Sequence, residues 1–247
     1  MKIRILGTMS PIATDGHNCP GVLIESGNST ILLDCGSGTH SMVDFHAISN
    51  DLHIFLSHLH TDHFSDVFNY QLASFVYRNL NLLLRPINIY MPKSPDKDAS
   101  YISSQDLQFA EYGIISSNAE YHIGHCCLSF CQTVHPVETY AVKIREADRK
   151  IVYTSDTSFD AHDKLVDFAQ GADLLIAEAS LLKEHNSPSV NSHLTAEQAG
   201  IIAKNAKAKK LMLTHFWHNE DIQKYVEEAK RIFYNVVPAT EDLSFTI

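Results

Sequence analysis

The sequence predicts a mixed α/β domain, and three observations carry that prediction. Short β-type runs alternate with stretches of helical period along the chain. Gly, Pro, Asn and Asp residues punctuate the runs. No linker rich in Pro, Gly or Ser sets one part off from another. The 247 residues suit one such domain, spanning 1–247, better than two small ones, and suffice to bury a full core.

In order, Ile3 to Leu6, Val22 to Glu25, Thr30 to Leu33 and Leu52 to Leu56 read as strands, divided by Gly7, Pro11, Asp15-Gly16, Ser26-Gly27-Asn28 and Gly36-Ser37-Gly38. A helix capped by Ser65 or Asp66 follows, with Val67, Tyr70, Gln71, Ala73, Ser74, Phe75 and Tyr77 at roughly helical spacing. The segment Gln71 to Arg85 reads first as a core-packing helix and second as a lid or dimer helix. In the second half, strands at Tyr140 to Arg145, Lys150 to Thr154, Leu174 to Ala177 and Lys210 to Leu213 interleave with helices at Ala161 to Ala169, Ala196 to Lys204 and Glu220 to Phe233. Thr195 opens the second of these helices, with the Glu197 carboxylate close behind.

Composition narrows the function classes. Apolar residues make up 45% and charged residues 19% of the chain, as in ordinary globular proteins. A formal charge of -10 argues against an extended nucleic-acid face or an anionic membrane surface, because phosphate binding draws on Lys and Arg. A small anionic substrate held by metals stays compatible with it. No apolar run approaches the roughly 20 residues of a membrane-spanning helix, and Met1 to Gly7 reads as a strand and not as a signal core, so a cytoplasmic location is expected. Five cysteines, with Cys126, Cys127 and Cys131 on one strand-like run, suggest buried or strand-borne thiols rather than a disulfide framework.

The chemistry concentrates where the Leu52 to Leu56 strand ends. Ser57-His58-Leu59-His60-Thr61-Asp62-His63 places three histidines and an aspartate in a strand-end loop. In extended geometry His58 and His60 project to one side, and the turn that follows can bring Asp62 and His63 toward a second point. Imidazole nitrogen and carboxylate oxygen bind zinc at about 2.0 to 2.2 Å, and two sites about 3.5 to 4 Å apart fit so compact a segment.

These residues also carry a family resemblance. His58-x-His60-x-Asp62-His63 resembles the signature of the metallo-β-lactamase superfamily. The likeness continues in family order through Leu33-Asp34-Cys35-Gly36-Ser37-Gly38, His135-Pro136, Ser155-Asp156-Thr157 and Leu213-Thr214-His215-Phe216. It implies a four-layer αββα sandwich. It also implies two divalent metal ions, zinc first and manganese or iron as alternatives, with His58, His60 and His135 on one, Asp62, His63 and His215 on the other, and Asp156 bridging. Asp34 would orient a ligating histidine; its alternative is a turn-capping carboxylate. A lone His135 or His215 would otherwise be read as structural.

Within that superfamily, an aspartate at the bridging position argues against β-lactam hydrolysis. Ala177-Glu178-Ala179-Ser180, His193-Leu194-Thr195 and Leu213-Thr214-His215-Phe216 resemble the ribonuclease Z-like phosphodiesterase branch. That resemblance implies a hydroxide bridging the metals as nucleophile, Asp62 as general base, and Glu178 with His193 as a coupled proton donor to the leaving oxygen. Alternatively, His193 is a residue of the helix-cap region and Glu178 a strand-end charge. Two departures bear on the substrate: Ala177 stands where ribonuclease Z has a histidine, and the interval from His135 to Asp156 has no room for the arm with which ribonuclease Z clasps tRNA. A small phosphodiester, a cyclic nucleotide or a short oligonucleotide end, is therefore expected as substrate, with a homodimer as a candidate assembly. The alternatives are a thioester hydrolase of the glyoxalase II type, ribonuclease Z-like tRNA 3′ processing, and an iron-dependent oxidoreductase of the same fold.

Overall fold

A computed structural model describes residues 1–247 apart from 15, 49–50, 105–108 and 186–190. Two large sheets face each other. The first runs β16 (Ser244–Thr246), β1 (Lys2–Gly7), β3 (Gly21–Ser26), β4 (Ser29–Leu33), β5 (Leu52–Phe55), β6 (Ile87–Met91) and β7 (Ala110–Ile114). The second runs β15 (Val236–Pro238), β13 (Leu211–Thr214), β12 (Leu174–Glu178), β11 (Arg149–Tyr153), β10 (Tyr140–Glu146), β9 (Cys126–Gln132) and β8 (Glu120–Ile123). A small parallel pair links β2 (Met9–Ser10) to β14 (Phe216–Trp217).

Side-chain alternation explains why the strands read as continuous apolar runs. Ile3 and Ile5, Val22 and Ile24, Ile31 and Leu33 point between the sheets, where they meet Ile151, Tyr153, Leu174, Ile176 and Met212. Their neighbours point the other way. Leu6, Leu23, Leu32, Leu52 and Ile54 pack under the helices α1 (Phe45–Ile48), α3 (Val67–Asn79) and α4 (Asp96–Ser103), with the short α2 (Thr61–Phe64) between the first two in the chain. Val152, Leu175, Ala177, Leu211 and Leu213 pack under α5 (His162–Ala169), α6 (Ala196–Asn205) and α7 (Ile222–Lys230). Each central strand thus buries both faces, and three apolar layers separate four layers of structure. This is the αββα sandwich of the metallo-β-lactamase fold.

The sequence-read strands recur within a residue or two of their expected ends. β6, β7, β8, β9 and α4, with the short α1, β2, β14, β15 and β16, fall where the pattern assigned no element, in part because β7 and β8 carry exposed residues at every second or third position. Helix α6 opens at Thr195 as expected, but the partner that closes its cap is Gln198: Thr195 Oγ1 accepts from Gln198 N at 3.1 Å and Gln198 Oε1 accepts from Thr195 N at 2.9 Å. Asp66 precedes α3 without capping it; its carboxylate accepts from His40 N at 2.8 Å and Asn69 Nδ2 at 3.0 Å instead. Helix α3 buries Val67, Tyr70, Gln71 and Ser74, the one stripe spaced to face a sheet. Leu72, Val76, Leu80, Leu82 and Leu84 are exposed, so the Gln71 to Arg85 segment is only partly core. All five cysteines are free, and three are buried. Among the described residues no helix is long and apolar enough to cross a membrane.

Candidate metal centre

All the singled-out side chains lie at one rim of the sandwich, where the parallel strands end. Asp34 follows β4, His58 to His63 follow β5, Asp156 follows β11, Glu178 closes β12 and His215 follows β13. Three of these turns require left-handed backbone at a residue other than glycine: Asp34 at φ 57, Ser155 at φ 53 and His215 at φ 64. Such conformations are costly for side-chain-bearing residues and cluster at functional sites. Gly36 permits the close approach of the metal-motif loop to the β4 loop, since a Cβ there would lie 2.0 Å from the Asp62 carbonyl oxygen.

The seven residues named from sequence converge. Donor atoms of His58, His60, His135 and Asp156 lie within 4.8 Å of one another, as do those of Asp62, His63 and His215. His60 Nδ1 is 3.2 Å from His58 Nε2 and 3.1 Å from His135 Nε2; His63 Nε2 is 3.0 Å from His215 Nε2. Asp156 spans the two groups. Its Oδ2 lies 3.6 Å from both His58 Nε2 and His135 Nε2, while its Oδ1 lies 3.4 Å from His63 Nε2 and 3.2 Å from His215 Nε2. Asp62 Oδ2 stands 3.7 and 3.6 Å from the same two nitrogens of the second group.

The donor set fits divalent cations. Asp156 Oδ1 is buried without a hydrogen-bond partner, a costly state for a carboxylate oxygen unless something else satisfies it. The outward ring nitrogens are engaged: His63 Nδ1 donates to Asp34 Oδ2 at 2.8 Å, His58 Nδ1 to Ser57 Oγ at 3.1 Å, His215 Nδ1 to Ser180 Oγ at 2.7 Å and His135 Nδ1 to the Ser192 carbonyl at 3.1 Å. With the proton held on Nδ1, the Nε2 lone pairs turn inward, which is the arrangement a metal needs. Nitrogen and carboxylate donors without sulfur suit zinc, manganese or iron.

Electrostatics follow from burial and from the carboxylates. Burial pushes the His58, His60 and His135 imidazoles below their usual range, favouring the neutral, lone-pair-bearing form. Burial would raise the Asp156 carboxyl, but the surrounding His215, His63 and His58 outweigh it and hold it well below the carboxylate range.

Glu178 and His193 also meet here. His193 Nδ1 donates to Glu178 Oε1 at 3.1 Å and lies 3.8 Å from Asp156 Oδ2. Burial alone would depress His193, yet the Glu178 carboxylate, its hydrogen bond and Asp156 carry it up to about 9. Glu178 is itself fixed by Thr157 N at 2.7 Å and Ser180 Oγ at 2.8 Å.

Sequence reasoning gave no role to Ser57, Ser155, Ser180, Ser10 or Tyr153. Ser57 Oγ donates to Asp34 Oδ2 at 2.8 Å and receives Ser155 Oγ at 2.6 Å; Tyr153 Oη donates to Asp34 Oδ2 at 2.8 Å; Ser10 Oγ donates to Asp62 Oδ2 at 3.1 Å. The available signal was adjacency: Ser57 precedes His58, Ser155 precedes Asp156 and Ser180 stands two residues after Glu178.

Comparison with known proteins places the chain among relatives. The family model described as anti-Pycsar protein Apyc1 matches residues 1–237. The probable metallo-hydrolase YhfI of Bacillus subtilis is 31% identical over 237 residues, covering 94% of each chain. The crystal structure of YhfI superposes with a TM-score of 0.90 at 27% identity, covering 99% of this chain and 98% of that one. Ribonuclease Z of Archaeoglobus fulgidus is 26% identical over an alignment of 304 positions that takes in 100% of this chain and 97% of the enzyme. The short form of human tRNase Z shares the fold, with a TM-score of 0.75 at 22% identity, covering 100% of this chain and 99% of that one.

Proposed function

The chain belongs to the family described by the anti-Pycsar protein Apyc1, in the ribonuclease Z-like branch of the metallo-β-lactamase superfamily, and from that premise we propose that it is a two-metal phosphodiesterase acting on a small phosphodiester. The coarser statement, a metal-dependent hydrolase, follows from its relatives. The observation that carries the finer one is the Glu178–His193 pair beside the bridging carboxylate, because a phosphodiesterase must protonate a poor alkoxide leaving group.

His58, His60 and His135 would hold one divalent cation, zinc first, and Asp62, His63 and His215 the other, with Asp156 shared. Bound there, the cations would neutralise charge on the phosphate and activate the attacking water. Asp62, steadied by Ser10 Oγ, accepts a proton from that water. As the phosphorus–oxygen bond to the leaving group breaks, the electron pair stays on the leaving oxygen. His193, anchored through Nδ1 to Glu178, delivers its other ring proton to that oxygen. Both sheets contribute ligands, which supports reading residues 1–247 as one functional domain.

A cyclic nucleotide or a short oligonucleotide end is the substrate class this reading favours. The short interval from His135 to Asp156 leaves no room for a tRNA-clasping arm, and the charge of -10 opposes a long polyanion. The test is metal analysis of the purified protein together with hydrolysis of bis-p-nitrophenyl phosphate, cyclic nucleotides and a glutathione thioester. Two metals per chain are expected, with phosphodiester turnover lost about 10²-fold or more in His193→Ala while metals are retained. Equal turnover in His193→Ala removes it from the mechanism, and thioester hydrolysis alone overturns the phosphodiesterase reading.

A further inference from the structure

Away from the metal centre, another group of donors comes together on the second sheet. Ligand atoms of Glu120, His122 and Cys127 lie within 4.8 Å of one another. The β ladder sets this placement. Glu120 and His122 alternate along β8 and so share one of its faces. His122 stands directly opposite Cys127 on β9, where the facing Cβ atoms of an antiparallel pair lie about 4.5 to 5.5 Å apart. Across the same sheet Cys127 faces Arg145 on β10, and Arg145 faces Lys150 near the start of β11. Asp156 lies beyond the other end of β11, so roughly 20 Å along the strand direction separates this group from the metal centre.

The three donors differ in kind and suit one cation. His122 Nε2 and Glu120 Oε1 are 3.0 Å apart, close to the roughly 3.4 Å between two ligands of a tetrahedral ion bound at about 2.1 Å. The Cys127 thiol supplies sulfur, which selects a borderline-soft cation over magnesium or calcium. Binding sends the thiol proton to solvent and gives the sulfur lone pair to the metal. Thiolate and carboxylate together then cancel the charge of a divalent ion. Arg145 Nη2 donates to Cys127 Sγ at 3.8 Å, and its positive charge favours the thiolate. Glu120 and His122 are exposed and Cys127 is half-buried, so the side chains turn onto an ion at little desolvation cost and leave a fourth position to water.

We propose that Glu120, His122 and Cys127 form a further zinc site, separate from the metal centre and from the reaction assigned to it. Strand β8 is the last of its sheet and pairs with β9 alone among the described strands, so an ion there ties the open edge to the strand beside it. Exposed donors that leave a position to water hold a cation less tightly than the buried and braced donors of the metal centre, so this site fills second.

Cobalt is the probe that separates the two. The metal centre gathers only histidines and aspartates, so a thiolate-to-cobalt charge-transfer band reports on this site however that centre is filled. Cobalt chloride is titrated into the zinc-loaded protein; a band that saturates at one cobalt per chain is expected, and its absence overturns the proposal. The band should be lost in Cys127→Ser and kept in Cys131→Ser, which removes the other half-buried thiol of β9; a band that survives Cys127→Ser overturns the proposal. His122→Ala and Glu120→Ala should each shift the titration to higher cobalt, and an unshifted titration in both overturns the three-ligand assignment. Hydrolysis by Cys127→Ser should match that of the unaltered protein, and a loss of turnover overturns the separation of this site from the metal centre. The cobalt titration reads no turnover, so it decides the site even if the phosphodiesterase reading falls.

Discussion

Asp34, at the end of β4, and Glu178, at the end of β12, are built alike from opposite sheets. Each carboxylate holds one imidazole directly and a second through a serine hydroxyl: Asp34 holds His63, and His58 through Ser57; Glu178 holds His193, and His215 through Ser180. They differ in what surrounds them. Asp34 is fully buried and accepts from Ser57 N, Ser57 Oγ, His63 and Tyr153, and the imidazole it holds has no exposure. Glu178 is equally sunken, yet its His193 side chain is 24% exposed at the mouth of the site. The same device is sealed at one hub, and at the other it leaves one imidazole within reach of solvent, where the proposed reaction needs a proton donor.

Breaking the sealed hub should have the largest effect. Asp34→Ala strips the acceptor from four buried donors and should cost about 3 to 5 kcal/mol of stability together with most of the bound metal; thermal unfolding and metal analysis measure both. A variant that keeps its metals and its melting temperature would show that the clamp is not one.

Glu178→Gln tests the open hub. It preserves an acceptor for Thr157 N, so the fold and the metals should persist while kcat falls about 10²-fold. Metal loss comparable to that of Asp34→Ala would erase the distinction between the two hubs.

The serines sharpen the comparison further. Ser57→Ala should loosen His58 and weaken the first metal, and Ser180→Ala should loosen His215 and weaken the second, each by about 10- to 100-fold in affinity. Competition with a chelator reads the two sites in turn, and both variants weakening the same site would contradict the assignment of the groups.

The smallest effect belongs to the opposite end of β12, where Asp173 accepts from Lys209 Nζ at 2.7 Å and Lys150 N at 2.8 Å. Burial opposes ionisation there, but these partners outweigh it and hold the carboxyl below its ordinary value. A carboxyl depressed in the folded state stabilises the protein fully above its unfolded value of about 4 and loses that contribution as pH falls through the folded value. Asp173→Asn should therefore cost about 1 kcal/mol at neutral pH, with the difference in melting temperature closing toward strongly acid pH. A difference that grows on acidification would contradict the sign.

Much of the molecule was legible without coordinates. The strands of the two sheets showed as apolar runs because both faces are buried, and helix α6 declared its start through Thr195. Helix α4 stayed hidden because only Ala99 and Ile102 of its eight residues are buried, too few to make a stripe. The residues that converge were legible because His58 to His63 pack four donors into one loop and because the family resemblance supplied the distant three. The serines were not, since a hydroxyl beside a histidine has no pattern of its own.

What the sequence determined by itself was chemistry in order along the chain: which strands could be buried on both faces, and which residues could donate to a metal. Only the tertiary structure decided direction. Asp34, Ser155 and His215 adopt left-handed turns, a conformation rare for residues with a side chain even though Asp and His enter it more readily than most, and the sheets hold them there because the packing around each strand end is worth more than the local strain. Those turns aim Asp156 at both groups of candidate ligands and place Trp217 beside Ser10, relations between residues distant in sequence that exist only once the two sheets close on each other.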